Sequence, residues 1–440
     1  MILSLARTLA GRTVVAIAGF SLSLAANAHD LEIHGSNTVG ATLAPMLVTG
    51  YLQSKTDADI RASGTGTVNE QILSTRLADR DISILVAAHG SSTGYRALAS
   101  DDADIWASSR PAKAKEVEQL SARADLRSLD SEHVIAIDGL AVLVHPQNPV
   151  SKLSIDQIGQ IFSGRINNWS QLGGADQPIR LYARDDRSGT WDTFKSLVLT
   201  GDYALHESAR RYESNDQLSD DVSRDPAGIG FAGLASVRNS KLLAVSDGNA
   251  PAMKPNQLTV ASEDYPLSRR LYMYTTGEQA PDMARELIDF ALSSDGQALV
   301  AESGFISQNP IAVKPDFEAV VPDSFRQLTE RYHRLTVNFR FAEGRTKLDN
   351  KALRDLLRVK HYLASHGRDA SDLLLIGFAD AQQHELKSQM VSELRAVSVR
   401  KALNEVGVEN TSYTGYGQYM PVSGKGSPRN GRVEVWIKSE

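Results

Sequence analysis

The sequence predicts an α/β fold over most of its length, followed by a smaller α+β unit, and three observations carry that reading. An apolar run, a loop of small polar residues and a helical pattern recur in that order through the first part of the chain. The loops fall at strand ends, where α/β proteins gather ligands. From about residue 330 the order becomes strand, helix, strand, helix, strand within about 105 residues, enough for a separate domain.

In chain order, Leu31-Glu32-Ile33 reads as a strand that runs into Gly35-Ser36-Asn37-Thr38-Val39-Gly40. Leu43, Leu47 and Tyr51 then follow at helical spacing. A second strand, Ile82 to Ala88, leads through His89-Gly90-Ser91-Ser92-Thr93-Gly94 to a helix from Tyr95 to Leu98. A third loop is Asp104-Ile105-Trp106-Ala107-Ser108-Ser109-Arg110-Pro111.

The fourth loop is Arg184-Asp185-Asp186-Arg187-Ser188-Gly189-Thr190. Trp191, Phe194 and Val198 lie at i, i+3 and i+7, so Ser188 to Thr190 open a helix. A helix start offers unpaired N–H groups and the positive end of the dipole, which suits an oxyanion. Ser and Thr hydroxyls add donors, Gly lets the backbone approach, and Arg184 adds a two-pronged charged donor. Asp186 reads as the partner that holds the Arg184 guanidinium. The heptapeptide alone is read more simply as an ordinary Ser N-cap beside a surface Arg. Four donor-rich loops together point to one shared anion site.

Composition sets the bounds. The 440 residues predict two or three domains, and 42% hydrophobic with 23% charged content describes an ordinary protein with a real core. Residues 1–28 carry Arg7, Arg12, an apolar run from Val14 to Leu24 and Ala26-Asn27-Ala28, the pattern of a secretory signal cleaved before His29. The remainder holds 45 basic and 53 acidic residues, a net charge of −8. That balance argues against a nucleic-acid partner, and it makes anion selectivity a local matter. Cys is absent, which excludes disulfides and thiolate metal sites. The run at 14–24 is short for a bilayer span, and no later stretch is long and apolar enough, so the mature chain is expected to be exported, without a transmembrane segment.

Several spaced motifs carry a resemblance. Asp138-Gly139-Leu140-Ala141-Val142-Leu143-Val144-His145-Pro146 and Ile161-Phe162-Ser163-Gly164-Arg165-Ile166-Asn167-Asn168-Trp169 resemble the PstS-like periplasmic phosphate-binding proteins. Gly228-Ile229-Gly230-Phe231, Tyr265-Pro266-Leu267-Ser268-Arg269 and Ser294-Asp295-Gly296-Gln297 follow in the family's order. The resemblance covers about residues 30–310 and implies a type II periplasmic-binding-protein fold, two α/β lobes closing on the anion. It implies Thr38 and Val39 from the first loop, Ser91 from the second, Ser109 from the third, and Arg184, Ser188, Gly189 and Thr190 from the fourth as phosphate-binding residues. Asp186 would support Arg184. Ser63-Gly64-Thr65-Gly66-Thr67 competes with Ser91 for the second-loop role; Ser91 is preferred because an apolar strand feeds it directly, which leaves an insertion within residues 56–80. Ser109 stands where some members place an Asp that accepts the proton of hydrogen phosphate; Asp138 is a substitute acceptor or a structural carboxylate.

At the C-terminus, Leu335 to Phe341 alternates as a strand, and Ala352, Leu356, Val359 and Leu363 mark a helix face closed by Gly367. Asp372 to Phe378 is a second strand, Ala396, Val399, Leu403 and Val406 a second helix face, and Arg432 to Ile437 a last strand. Gly377-Phe378-Ala379-Asp380, Val391-Ser392-Glu393-Leu394-Arg395-Ala396, Gly415-Tyr416-Gly417 and Asn430-Gly431-Arg432-Val433-Glu434 resemble the OmpA-like peptidoglycan-binding domain. The resemblance implies that Asp380 pairs with the ammonium of diaminopimelate and Arg395 clamps its carboxylate. Three positions depart from the pattern: Phe378 for His, Ser388 for a supporting Asn, and Gly431 for the first of two Arg.

The expected organisation is a signal peptide (1–28), an anion-binding domain of two lobes (29–325) and an OmpA-like domain (326–440). The expected function is periplasmic capture of phosphate or a related tetrahedral oxyanion by a protein moored to peptidoglycan near the outer membrane. Uptake would need a partner such as an ABC permease. No cofactor or metal is expected, since the ten His residues show no metal-ligand spacing. Two other readings stay open: a structural wall tether whose anion site has decayed, and a periplasmic phosphatase.

Overall fold

The computed structural model describes residues 29–186, 188–315, 321–341, 347–381 and 384–439. Residues 1–28, expected to be a secretory signal, and Arg187 of the fourth loop lie outside them. Among the described residues no helix is long and apolar enough to cross a membrane.

Lobe 1 begins with β1 (Leu31–Gly35), α1 (Ala44–Gln53), a hairpin of β2 (Arg61–Gly64) and β3 (Glu70–Leu77), and β4 (Arg80–Ala87). α2 (Ser91–Ala99), β5 (Ile105–Ser108) and α3 (Ala114–Leu120) follow. β1 pairs in parallel with both β4 and β5, which sets the first, second and third loops side by side at one sheet end. The stretch expected to hold an insertion forms the β2–β3 hairpin at the sheet edge. Leu43, Leu47 and Tyr51 bury against this sheet, as their spacing predicts.

β6 (Glu132–Val144) then crosses into lobe 2 and is buried along all but its first residue. Lobe 2 holds β7 (Lys152–Ser154), α4 (Ile155–Phe162), β8 (Arg180–Arg184), α5 (Gly189–Leu197), β9 (Arg210–Tyr212) and α6 (Asn215–Arg224). It continues through β10 (Gly228–Gly233), β11 (Lys241–Leu242), β12 (Ala244–Ser246) and α7 (Gln257–Ala261). β13 (Ser268–Tyr274) leads back, and α8 (Asp282–Leu292) and α9 (Ser294–Glu302) complete lobe 1. The sheet order is β2-β3-β4-β1-β5-β13-β6-β10-β8-β9, so the antiparallel pair β6 and β13 joins the lobes. α5 buries Trp191, Phe194 and Val198, and Phe194 stacks on Phe231 of β10 with ring centroids 3.8 Å apart. That packing fixes the helix start on which the fourth loop depends.

The C-terminal unit comprises β14 (Ala312–Val313), α10 (Asp323–Thr329), β15 (Tyr332–Arg340), α11 (Asn350–Ser365) and β16 (Leu373–Gly377), then α12 (Glu385–Glu405), β17 (Ser412–Gly415) and β18 (Arg432–Lys438). Its sheet runs β14-β15-β18-β16-β17. β14 and β17 are additions to the three strands that the sequence shows; with two and four residues they are too short for an alternation signal. Phe325 of α10 packs on Phe378, Tyr416 and Trp436.

The alternation of β15 predicts one core face and one solvent face, yet both are buried. Leu335, Val337 and Phe339 enter the core, whereas Thr336, Asn338 and Arg340 are also covered. Asn338 and Arg340 meet the turn after α7, where Asp264 accepts from Arg334 Nη2 at 2.6 Å, Asn338 Nδ2 at 2.9 Å and Arg340 Nη2 at 3.0 Å. Beside it Glu263 receives a two-pronged bond from Arg270 at 2.6 and 2.8 Å. Burial alone would raise the Glu263 carboxyl, but Arg270, with Lys351 and Arg340, outweighs it and holds it down at about 2. Asp264 is likewise held below the usual carboxylate range: burial opposes, and Arg334, Arg432 and Arg340 prevail.

A buried ion cluster adds little net stability when intact, because desolvation offsets attraction, but removing one partner costs about 3–5 kcal/mol. Asp264→Ala is therefore expected to lower unfolding stability by about that much. Glu263 titrates in the unfolded chain near its ordinary value of 4.5, so its contribution is complete above that pH and is lost as pH falls toward about 2. Thermal unfolding followed down through that window should show a fall in melting temperature that is shallower in Glu263→Gln.

Candidate functional site

The first three loops bring Thr38, Ser91 and Ser109 to one end of lobe 1. Thr38 N–H donates to Ser36 Oγ at 3.2 Å, and Val39 opens the helical turn that leads into α1. Val39, the other donor expected from this loop, is fully buried in the lobe 1 core. Ser91 starts α2 and Ser109 follows β5; their hydroxyls lie 3.2 Å apart, and Ser109 N–H donates to Ser91 Oγ at 3.1 Å. The competing Thr65 sits on the exposed hairpin tip and donates to Glu70 at 2.7 Å. His89, next to Ser91, pairs with that same Glu70 at 2.9 Å.

From lobe 2, Ser188 caps α5: its Oγ accepts from Trp191 N–H at 3.4 Å. Arg184, buried at the end of β8, donates through Nε to Tyr212 O at 3.2 Å, through Nη2 to Glu213 O, and through Nη1 toward Thr190 Oγ1 at 3.5 Å. Burial lowers its pKa from the ordinary guanidinium value, with Asp185 and Glu213 opposing. The expected support from Asp186 is corrected here. Asp186 is exposed and pairs instead with Arg211 at 2.6 Å. The cause is register: Arg184 lies opposite Tyr212 in the parallel β8–β9 pair, so carbonyls at the end of β9 take the guanidinium.

A second guanidinium stands at the centre. Arg269 of β13 donates through Nη1 to Gly189 O at 2.9 Å and through Nη2 to Thr38 Oγ1 at 3.1 Å. Its Nε and Nη2 also reach Asp138 Oδ2 at 3.1 and 2.9 Å. Asp138 lies directly across the β6–β13 ladder, so it is the structural partner of Arg269. Thr38 of lobe 1 and Gly189 of lobe 2 touch so closely that a Cβ on Gly189 would fall 1.5 Å from Thr38 Oγ1.

The expected donors consequently line two recesses rather than one. Thr38, Arg184, Ser188, Gly189 and Thr190 border a recess of about 390 Å³. Ser91 and Ser109 border another of about 310 Å³ with Arg269, Arg110 and Asp192. Arg269 bonds to residues that border the first recess, so the two adjoin through it. Burial raises the Asp192 carboxyl, while Arg269, Lys195 and Arg110 lower it. Sequence reasoning missed Arg269 and Asp192 as site residues. Arg269 was visible within its motif, but only the strand register shows that it points at Thr38 and Gly189.

The C-terminal unit offers a separate constellation. Asp380, after β16, accepts from Gly426 N–H at 2.7 Å and from Asn430 Nδ2 at 2.9 Å. Arg395 of α12 donates to Phe378 O at 2.9 Å; burial lowers its pKa, and the Asp380 charge opposes that shift. The three departures fit around these two groups. Phe378 is buried beneath the Arg432 guanidinium, 4.1 Å from its ring centre. Ser388 is fully buried and donates to Asp380 O at 3.3 Å, so the short side chain still ties down that loop. A Cβ at Gly431 would lie 2.6 Å from the Arg395 guanidinium, so glycine makes room for it.

Two α/β lobes joined by a strand pair, with helix starts and donor-rich loops facing the junction, define a bilobal solute-binding protein. The chain belongs to the PBP superfamily, whose domain model matches residues 49–295, and within it to the PstS family. An OmpA family domain occupies residues 340–433. The chain is 30% identical over 270 residues to the phosphate-binding protein PstS of Bacillus subtilis, covering 60% of this chain and 85% of that protein. PstS of Borreliella burgdorferi is 28% identical over 275 residues, covering 59% and 95%. The structure of an ABC-type phosphate transport receptor from Vibrio cholerae matches with a TM-score of 0.50 and 27% identity, covering 63% of this chain and 99% of that one.

The Thr38–Gly189 contact has a direct consequence. Gly189→Ala cannot keep the lobes in this arrangement, because the added methyl overlaps both Oγ1 and Cβ of Thr38. Small-angle scattering is expected to show a larger radius of gyration for the variant, with helical content by circular dichroism unchanged.

Proposed function

We propose that this protein captures inorganic phosphate in the periplasm between its two lobes while its C-terminal domain holds it to peptidoglycan. The observation that carries the reading is the convergence of Thr38, Arg184, Ser188 and Thr190 on one recess, next to a second recess with Ser91 and Ser109. The α5 start supplies N–H groups and positive dipole, and Arg184 supplies fixed charge. Arg184 is oriented by the backbone carbonyls of Tyr212 and Glu213. Asp192 takes the part of a hydrogen-bond acceptor that Ser109 fills less well. A carboxylate there accepts the hydrogen of hydrogen phosphate and repels sulfate, which has none to offer. We assign residues 29–325 to capture and 326–440 to anchoring, with Ala312–Val313 and Phe325 lent to the second unit. Delivery into the cell would fall to a partner permease.

Isothermal titration of the chain from His29 onward, with phosphate, sulfate, arsenate and molybdate, tests this directly. Phosphate is expected to bind, and Arg184→Ala to weaken it by about 10- to 100-fold. Asp192→Asn should narrow the preference for phosphate over sulfate by about tenfold. Heat from none of the four anions would leave a wall tether with a decayed site.

For anchoring, Asp380 and Arg395 present opposite charges to the ammonium and carboxylate of diaminopimelate. Co-sedimentation with isolated sacculi is expected to fall sharply in Asp380→Ala and in Arg395→Ala. Equal pelleting of wild type and both variants would refute the assignment.

A further inference from the structure

The C-terminal domain is not hung from the binding domain by one contact; it touches both lobes and the strand between them. On lobe 2, Asp264 is held by Arg334, Asn338 and Arg340, and Arg429 Nη2 donates to Glu263 O and Tyr265 O at 2.8 Å each. Ser423 reaches Asp247 of the same lobe. On lobe 1, Asn350 Nδ2 donates to Arg127 O at 3.0 Å, Ser128 O at 3.2 Å and Glu132 Oε1 at 3.2 Å. One turn on, Arg354 donates to Glu132 O and His133 Nδ1, both at 2.9 Å, and Arg358 reaches Gln308 at 3.1 Å. Between these two sets, Arg270 of β13 pairs with Asp349 at 2.9 Å.

Asp349 is the N-cap of α11, the helix that bears Asn350, Arg354 and Arg358. Neighbouring residues on a strand project to opposite faces. Arg269 accordingly enters the cleft toward Thr38 and Gly189, while Arg270 leaves by the back toward Asp349. One strand thus lies between the anion site and the appended domain.

We infer that the C-terminal domain is a brace across the back of the hinge, so that opening the cleft and releasing the anion require its hold on lobe 1 to loosen. The lobe 1 side is the one that yields. Its bonds end mostly on backbone carbonyls, with only one on a carboxylate, Glu132, and that one from a neutral amide, whereas the lobe 2 side is a buried cluster of charges that is costly to break. Packed interfaces of this kind switch between arrangements rather than stretch. The inference rests on the lobes being an anion trap, but the brace itself is read from contacts that do not include the ligand.

The test uses the whole mature chain. Because the chain has no Cys, spin labels can be placed at Asp57→Cys in lobe 1 and Glu207→Cys in lobe 2, both exposed. Asn350→Ala/Arg354→Ala removes the lobe 1 contacts. Asp349→Asn removes the charge while keeping a good N-cap residue, so it stands if the double variant does not fold. Without phosphate, the distance between labels is expected to be narrow in the parent and broader and longer in both variants. Phosphate release by stopped flow should quicken by about tenfold in the variants. Unchanged distance distributions in both variants would overturn the brace. Failure of the parent to bind phosphate would instead fall on the proposed function, with the distance measurement still deciding the brace.

Discussion

The Arg269 guanidinium, held by Asp138 across the β6–β13 ladder, is the contact on which the arrangement of the lobes depends. Among the described residues it is the one side chain with bonds to both Thr38 of lobe 1 and Gly189 of lobe 2. Its own orientation is set on the strand that joins the lobes, so it moves with neither alone. Arg269 and Asp138 are nearly buried, and an ion pair in such surroundings is kept for the geometry it imposes more than for net stability. Here that geometry aligns a hydroxyl from one lobe with a helix start from the other.

The electrostatics of the cleft follow from this pairing. Beyond its first 28 residues the chain is net acidic, so long-range attraction does not draw anions in. The cleft compensates locally. Asp138 balances Arg269, whereas Arg184 is oriented by carbonyls of Tyr212 and Glu213, with the Asp185 and Glu213 charges acting on it from nearby. The recess bordered by Ser188 and Thr190 thus sets one guanidinium and one helix start beside the carboxylates of Asp185 and Glu213. The hydroxyls of Ser188 and Thr190 add neutral donors beside them.

Much of this was readable in the residues, and the reasons for the failures are specific. The strand–loop–helix rhythm pointed to an α/β fold, the family resemblance implied its two lobes, and Trp191, Phe194 and Val198 placed the α5 start correctly because apolar spacing responds to local packing. Ser91 was preferred to Thr65 because an apolar strand feeds it; in the structure Ser91 adjoins Ser109, and Thr65 lies on an exposed hairpin. The partner of Arg184 was misjudged because nearness in sequence suggested Asp186, while strand pairing brought up Tyr212 and Glu213 from more than twenty residues away. Arg269 was quoted for its motif and passed over for its role, since a single strand residue gives no sign of which loop it will meet. The polar face of β15 read as solvent-facing for a related reason: Asn338 and Arg340 look like surface residues until Ser262, Glu263 and Asp264 cover them.

The C-terminal departures show the same non-local logic at smaller scale. Taken singly, Phe378, Ser388 and Gly431 each remove a group that the related pattern supplies. In the structure they belong together. Phe378 puts an apolar ring under Arg432 and beside Phe325, which ties α10 to the domain core. Ser388 keeps a bond to the Asp380 carbonyl from a fully buried position, and Asn430 donates to the Asp380 carboxylate from the other side. Gly431 vacates the space that the Arg395 guanidinium fills, so a side chain restored there alone would displace the charge it is meant to assist. The site is therefore better understood as a different way of holding Asp380 and Arg395 than as a degraded version of the usual one. Asn430 adjoins Arg429, which grips lobe 2, so the loop that supports Asp380 also fastens the two domains together.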